Sequence, residues 1–281
     1  MSSIVPGTNM PNAPDHGSAP VADRPYTTLT RAGSVATLTL ARGERYNPLS
    51  LAMIGAMQRD LDELTNDSSI RVVVLAAEGK GFSAGHDLKE MRSHAGDKEW
   101  QRHLFGECSR MMRALTMLPQ PVIARVHGIA TAAGCQLVSM CDLAVAADGA
   151  QFALPGVNIG VFCTTPAVGV VRNVGRKRTM EMLLTGRLID AATALDWGLV
   201  NRVVPLSDLD AGVQAFTDVI AARSPAAVSL GKRAFYEQVD TSLQAAYDTA
   251  SETMACNLLY EDAAEGMDAF LGKRTPTWKG R

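Results

Sequence analysis

Apolar and polar positions alternate at two different periods along this chain, and the period changes where turn residues intervene. "YTTLTRAGSVATLTLAR" alternates residue by residue around Ala32-Gly33 and reads as a β-hairpin. Ser50 then precedes a stretch in which Leu51, Ile54, Met57, Leu61 and Leu64 fall on one helical face. "RVVVLAAEG" is a short continuous apolar run of the kind buried on both faces of a sheet. The turn "GKGFSAGHDL" follows, then polar helical segments from about Asp87 to Leu118. Pro121 opens a second buried strand, "PVIARVHG". An amphipathic helix in "HGIATAAGCQLVSMCD" comes next, and then a third strand, "DLAVAA". The order strand, turn, helix, strand predicts parallel pairing with right-handed crossovers.

Beyond Thr164 the helical period dominates, in "RKRTMEMLLTG", "DAATALDWGLV", "DLDAGVQAFTDVIAARS" and "LQAAYDTASETMACNLLYEDAAEGMDAFLGK", with the strand "VNRVVP" between. The expected organisation is an α/β core over 26–205 and a helical region over 206–281. Residues 1–25 hold five prolines, no lysine and no apolar run, and read as a disordered or extended leader. With no signal segment, a cytoplasmic location is expected, and a transit peptide to the mitochondrial matrix is the alternative.

Bulk composition narrows the classes. The 281 residues are 47% hydrophobic and 20% charged, a globular balance. A net charge of −2 argues against a general nucleic-acid or anionic-membrane role, and no apolar stretch is long enough to span a bilayer. The five cysteines, odd in number and without paired ligand spacing, read as reduced thiols rather than disulfides or a metal site.

Two glycine-rich turns carry the candidate chemistry. "GFSAGHDL" and "HGIATAAGCQL" each leave a buried strand and enter a helix. In parallel α/β sheets such turns gather at the carboxyl edge, where ligands bind. Each offers unpaired N–H groups backed by a helix dipole, and two converging donors form an oxyanion hole. Small residues at Ala84, Gly85, Ala132, Ala133 and Gly134 permit a ligand to approach the backbone. They equally suit tight helix–strand packing. Neither turn matches a phosphate-loop or dinucleotide fingerprint.

"GFSAGHDLKEM" followed by "PVIARVHGIATAAGCQLVSMCDLAVAA" resembles the enoyl-CoA hydratase/isomerase (crotonase) superfamily, from about Thr27 to the terminal "GMDAFLGKRTPTW". "AAGCQL" and "PGVNIGVFCTTP" are similar to a divergent, hydratase domain-containing subgroup of it. The resemblance implies a spiral core of ββα repeats whose helical C-terminal part is used in trimerisation, as a homotrimer or a dimer of trimers. It implies an acyl-CoA substrate, with coenzyme A entering as part of that substrate and no metal or redox cofactor. The thioester oxygen would be held by the backbone amides of His86 and Ala133. Coenzyme A would lie near Arg42, Arg45, Asn47, Ala84 and Lys89, with Lys273 approaching its 3′-phosphate.

Hydratases of that family use two glutamates to activate water and protonate the α-carbon. Gln136 and Gly156 stand at those positions here. An amide keeps shape and hydrogen bonding but loses the titratable proton, and glycine keeps neither. Ordinary hydration is therefore not expected. Lyase or isomerase chemistry through enolate stabilisation fits the remaining groups, with a non-catalytic acyl-CoA-binding regulator as the alternative. Cys163 is a possible replacement acid or nucleophile, or simply a small packed residue. The His86 imidazole titrates near neutrality in principle, though the side chain is expected to point away from the hole. Asp87 reads as a helix N-cap, His127 as a turn hydrogen-bonder, and Asp142 as a buried structural acid.

Overall fold

The computed structural model describes residues 24–281, so all but the last two residues of the expected leader fall outside the described residues. β1 (Thr27–Ala32) and β2 (Val35–Leu40) form the expected antiparallel hairpin, turning at Gly33 with φ +58°. α1 (Leu51–Thr65) begins where Ser50 Oγ accepts the Met53 N–H at 3.2 Å. β3 (Val72–Ala77) is buried along its whole length. The polar helical stretch divides into α2 (Leu88–Ser93) and α3 (Lys98–Met117), separated by Gly96 at φ +85°. β4 (Val122–Val126), β5 (Ala130–Thr131), α4 (Ala133–Met140), β6 (Leu143–Ala147) and β7 (Gln151–Ala153) follow. After a 3-10 turn at Pro155–Ile159 come α5 (Thr164–Val174), α6 (Arg176–Thr185), β8 (Ile189–Asp190), α7 (Ala191–Asp196) and β9 (Arg202–Val204). The chain ends in α8 (Leu209–Ala221), α9 (Pro225–Gln238), α10 (Leu243–Asn257) and α11 (Glu261–Leu271).

Six strands form one sheet in the order β1-β2-β3-β4-β6-β9, parallel from β2 onward, as the strand–helix alternation predicts. Its strands bury both faces because their side chains alternate. Val73, Leu75 and Ala77 join the main core with Met57, Leu61 and Met112. Val72 and Val74 join a second cluster with Leu209 and Val213 of α8. A second sheet, β5-β7-β8, is absent from the sequence reading. Its strands are two or three residues long, too short to display a period. Two further differences concern the C-terminal region. α9 was not expected, and the final helical stretch is two helices broken at Leu258–Tyr260.

α9 is anchored to the sheet by a buried ion pair. Lys232 Nζ lies 2.7 Å from Asp142 Oδ2, their side chains 6% and 16% exposed. Lys232 also donates to the Leu115 and Gln120 carbonyls at 2.9 Å each. Asp142 accepts from Tyr236 Oη at 2.9 Å and the Val122 amide at 2.6 Å. Asp142 is thus the satisfied structural acid expected. Burial lowers the Lys232 pKa, opposed by the Asp142 carboxylate. Removing one member of such a pair strands the other charge. Asp142→Asn is therefore expected to lower unfolding free energy by about 3 kcal/mol, read by urea denaturation. A loss below about 0.5 kcal/mol, the size of an ordinary surface substitution, would contradict this.

Candidate functional site

The two glycine-rich turns lie against one another. Phe82 N–H donates to Ile129 O and Thr131 N–H to Ser83 O, both at 2.9 Å, so the turns run as a short parallel bridge at Ser83 and Ala130. Close contact then demands glycine on both sides. A Cβ on Gly85 (φ +89°) would lie 2.9 Å from Ala132 Cβ and 3.1 Å from Ala133 N. A Cβ on Gly134 would collide with the Ser83 carbonyl. These glycines bring the main chain beside His86 within a few ångströms of the first amide of α4.

Ala132, just before α4, holds φ 50° and ψ −120°, a conformation that side-chain-bearing residues seldom adopt. Its N–H donates to Ala153 O at 2.9 Å and its carbonyl accepts from Gln136 N at 3.0 Å, which hold it there. The turn leaves Ala133 N–H as a first-turn helix donor with no intrahelical partner. Among the described residues, neither Ala133 N–H nor His86 N–H donates to a protein acceptor. Two free donors thus flank the Gly85–Ala133 contact, as an oxyanion hole requires.

The His86 side chain is drawn elsewhere. Nδ1 bonds the Leu49 carbonyl at 3.1 Å, and the ring meets Phe105 edge-on with centroids 5.2 Å apart. Burial, only partly offset by the Leu49 carbonyl, lowers its pKa below the ordinary 6.5. The imidazole is therefore neutral at physiological pH and is turned to Leu49 and Phe105. Asp87 is the expected N-cap, accepting the Lys89 and Glu90 amides at 2.9 and 3.2 Å. His127 is a hydrogen-bonder, but its partner is Gly79 O at 2.9 Å, leading into the other turn rather than within its own.

Neither glutamate position carries charge. Gln136 is 4% exposed, one turn into α4, and its Oε1 has no hydrogen-bond partner. Gly156 is hemmed in, since a Cβ there would collide with the Val161 carbonyl and lie 2.8 Å from Cys163 Sγ. Cys163 thus fills part of the space a side chain at 156 would need. Burial raises its pKa, opposed by the Gly156 amide, so it is a thiol rather than a thiolate. Neighbouring Cys135 is pushed up to about 12, chiefly by burial.

The residues expected near coenzyme A separate into two groups. Arg42 and Asn47 are both buried, with their polar atoms engaged within the fold, and Arg42 lines the same cavity as Arg45. The Arg42 guanidinium donates to the carbonyls of Arg24, Pro25 and Ala41 and stacks on the Tyr26 ring. Asn47 accepts the Arg42 amide at 2.9 Å and donates to the Glu78, Gly81 and Phe82 carbonyls at 2.9, 3.1 and 3.0 Å. Both therefore shape the strand-to-turn passage. Arg45 is exposed and pairs with Asp87 at 2.9 Å, beside a cavity of about 350 Å³ that also touches Tyr26, Ser50 and Glu90. Ala84, Lys89 and Lys273 are exposed. Ala84 is fixed by its own amide bond to Tyr46 O at 2.9 Å. Ser83 was missed. Fully buried, it donates from Oγ to Asn47 O at 2.9 Å and receives the Gly85 amide at 3.3 Å. A serine in a turn is too common for sequence to single it out.

The fold is a parallel α/β core in which two amides without a protein acceptor lie at the contact of the glycine-rich turns, with no charged side chain at either glutamate position. Residues 30–281 match the model of the enoyl-CoA hydratase/isomerase family, and the chain belongs to that family. It is 43% identical over 263 residues to enoyl-CoA hydratase domain-containing protein 3, mitochondrial, of Xenopus laevis, covering 94% of this chain and 89% of that protein. The human protein of that name is 42% identical, covering 90% and 83%. Among solved structures, an enoyl-CoA hydratase of Mycobacterium smegmatis superposes with TM-score 0.89 at 51% identity, covering 91% of this chain and 99% of that one. The human domain-containing protein 3 superposes with TM-score 0.87 at 43% identity, covering 91% and 100%. These likenesses establish the crotonase fold expected from the sequence.

The glycine contact is directly testable. Gly134→Ala is expected to destabilise by about 1–3 kcal/mol, because backbone rather than a flexible side chain must yield. The same variant should lose acyl-CoA affinity in calorimetric titration. Unchanged stability and affinity would contradict the contact. Gly156→Glu should likewise destabilise and fail to install hydratase activity, whereas a stable, active variant would show that the position is open.

Proposed function

We propose that the protein binds an acyl-CoA thioester with its carbonyl oxygen between the His86 and Ala133 amides, and carries out lyase or isomerase chemistry through the enolate. The observation that carries this reading is the pair of unpartnered amides held together by the Gly85 and Gly134 contacts. Backbone donors already aimed at developing negative charge stabilise an enolate without reorganising. Removing one such donor in other enzymes costs about 3–4 kcal/mol of transition-state stabilisation.

Proton transfer is the weak part of the site. Gln136 does not titrate, His86 is neutral, and Cys163 remains a thiol. Chemistry that makes the enolate by bond cleavage, or moves a proton slowly, suits these groups better than water addition. A purely acyl-CoA-binding regulator is the second reading, favoured by the closed position at Gly156. Arg45, Lys89 and Lys273, being exposed cations, are assigned to the coenzyme A phosphates. Coenzyme A enters only as part of the substrate, and the reading calls for no metal.

A homotrimer or dimer of trimers is supported by apolar side chains left in solvent on the last two helices, among them Tyr247, Phe270 and Leu271 at 66–84% exposure. The location follows the relatives. Those at 41–43% identity are named mitochondrial, which puts the matrix ahead of the cytoplasm expected from the leader.

Paired acid/base groups contribute about 10²–10⁴-fold each to such reactions. Crotonyl-CoA hydration, followed at the enoyl absorbance, is therefore expected to run at least about a thousandfold below hydratase rates. A rate of ordinary hydratase size would overturn the reading of Gln136 and Gly156. The pKa directions set a second expectation. His86 titrates below its ordinary 6.5 and Cys163 above its ordinary 9.0, so neither changes charge between. Acyl-CoA affinity should be flat from about pH 7 to 8.5. A tenfold change across that window would require an ionising group in the site.

A further inference from the structure

We infer that Glu265 is a positioning residue for coenzyme A: through Arg274 and Thr277 it fixes the turn that presents Lys273 to the 3′-phosphate. This rests on the assignment of Lys273 above and adds the device that holds it. α11 ends in a Schellman turn, with Lys273 N–H donating to Phe270 O at 3.2 Å and Arg274 N–H to Ala269 O at 3.0 Å. Such a turn needs one residue at positive φ, and glycine takes that place without strain. Here Gly272 keeps an ordinary φ of −79°, and Lys273 takes the left-handed conformation at φ 52°. A lysine kept at that cost points to a use for its side chain.

The surrounding charges leave that side chain free. Four cations stand at 273–281, and three are paired: Arg274 with Glu265, and Lys279 and Arg281 with Glu261. Lys273 is exposed, and its ammonium has no acceptor among the described residues. Glu265 holds the turn from the far side. Its two oxygens take the Arg274 guanidinium as a fork at 2.6 and 2.7 Å, and Oε1 also accepts the Thr277 amide at 2.7 Å. The Arg274 fork first, and then the Thr277 amide, hold the Glu265 carboxyl down to about 2, so it is ionised at physiological pH. Further on, Asp262 accepts the Lys279 and Gly280 amides at 2.6 and 3.0 Å, which lays the tail back along α11. The chain on both sides of Lys273 is thus fixed to one helix. A lysine on a fixed apex meets a phosphate without first ordering its backbone, which lowers the cost of binding. The fork also occupies Arg274, so the turn offers the phosphate one ammonium rather than two competing cations.

Calorimetric titration with butyryl-CoA and its 3′-dephospho analogue reads the contact directly. The wild-type protein is expected to prefer the phosphorylated ligand about tenfold, the size of one hydrogen bond between charged groups. Glu265→Ala combined with Arg274→Ala removes one charge of each sign, so the field on the phosphate changes little. That double variant should lower the preference to about twofold, the worth of an unfixed surface pair, and leave affinity for the dephospho ligand unchanged. Reversing the pair, with Glu265→Arg and Arg274→Glu, should restore most of the preference. Lys273→Gly breaks no contact within the fold, so it should lose the preference and melt at no lower a temperature. A double variant that keeps the full preference would overturn the inference, as would one that weakens both ligands equally. A Lys273→Gly protein that melts lower would give the lysine a role in the fold and overturn it too. Equal affinities in the wild type would remove the 3′-phosphate contact, and the inference with it, while the thioester reading stands. Binding of neither ligand would overturn that reading as well.

Discussion

Main chain touching main chain at two glycines is the constraint on which the site depends. Gly85 and Gly134 let two strand-to-helix turns approach until the Ser83 carbonyl and the Ala133 amide leave no room for a Cβ. Everything else at the carboxyl edge of the sheet supports that approach. Asn47 gathers three carbonyls of the first turn, Ser83 ties that turn to Asn47, and Ala153 holds the strained Ala132 that opens α4. The strain is local: a helix begins there with its first N–H left without a protein acceptor.

The electrostatics follow the same economy of charge. Ionic groups are kept for architecture, as in the Asp142–Lys232 pair that pins α9 to the sheet. The site itself is neutral. Burial holds His86 below and Cys163 above their ordinary ranges, and Gln136 stands where a carboxylate would titrate. In an enclosed neutral site, fixed amide dipoles act strongly on developing charge because little solvent screens them. On the proposed reading, such a site polarises a carbonyl without a group to move a proton.

Much of this was legible in the sequence because it depends on local periods. The hairpin, the Ser50-capped α1, the apolar β3 and the parallel order all follow from patterns of two and 3.6 residues. The two turns were legible as small-residue strings between strand and helix, whereas the roles of the His86 and Ala133 amides came from family resemblance alone. What sequence does not carry is commitment. Arg42 and Asn47 look like free polar groups in "ARGERYN", yet tertiary contact engages both with carbonyls up to 35 positions away. The β5-β7-β8 sheet escaped because its strands are too short for any period. The closure of Gly156 by Cys163 and the Val161 carbonyl depends on a loop path, not on composition.

The central claim is that the two amides polarise a thioester carbonyl, and vibrational spectroscopy tests it without assuming any reaction. Difference infrared spectra of bound acyl-CoA carrying an isotope-labelled thioester carbonyl report the strength of hydrogen bonding to that oxygen. The carbonyl band is predicted to move to lower wavenumber on binding, and to move back toward its free position in Gly85→Ala, where the added methyl presses on Ala133 N. A band that stays at its position in free acyl-CoA, with the ligand demonstrably bound, would contradict the account.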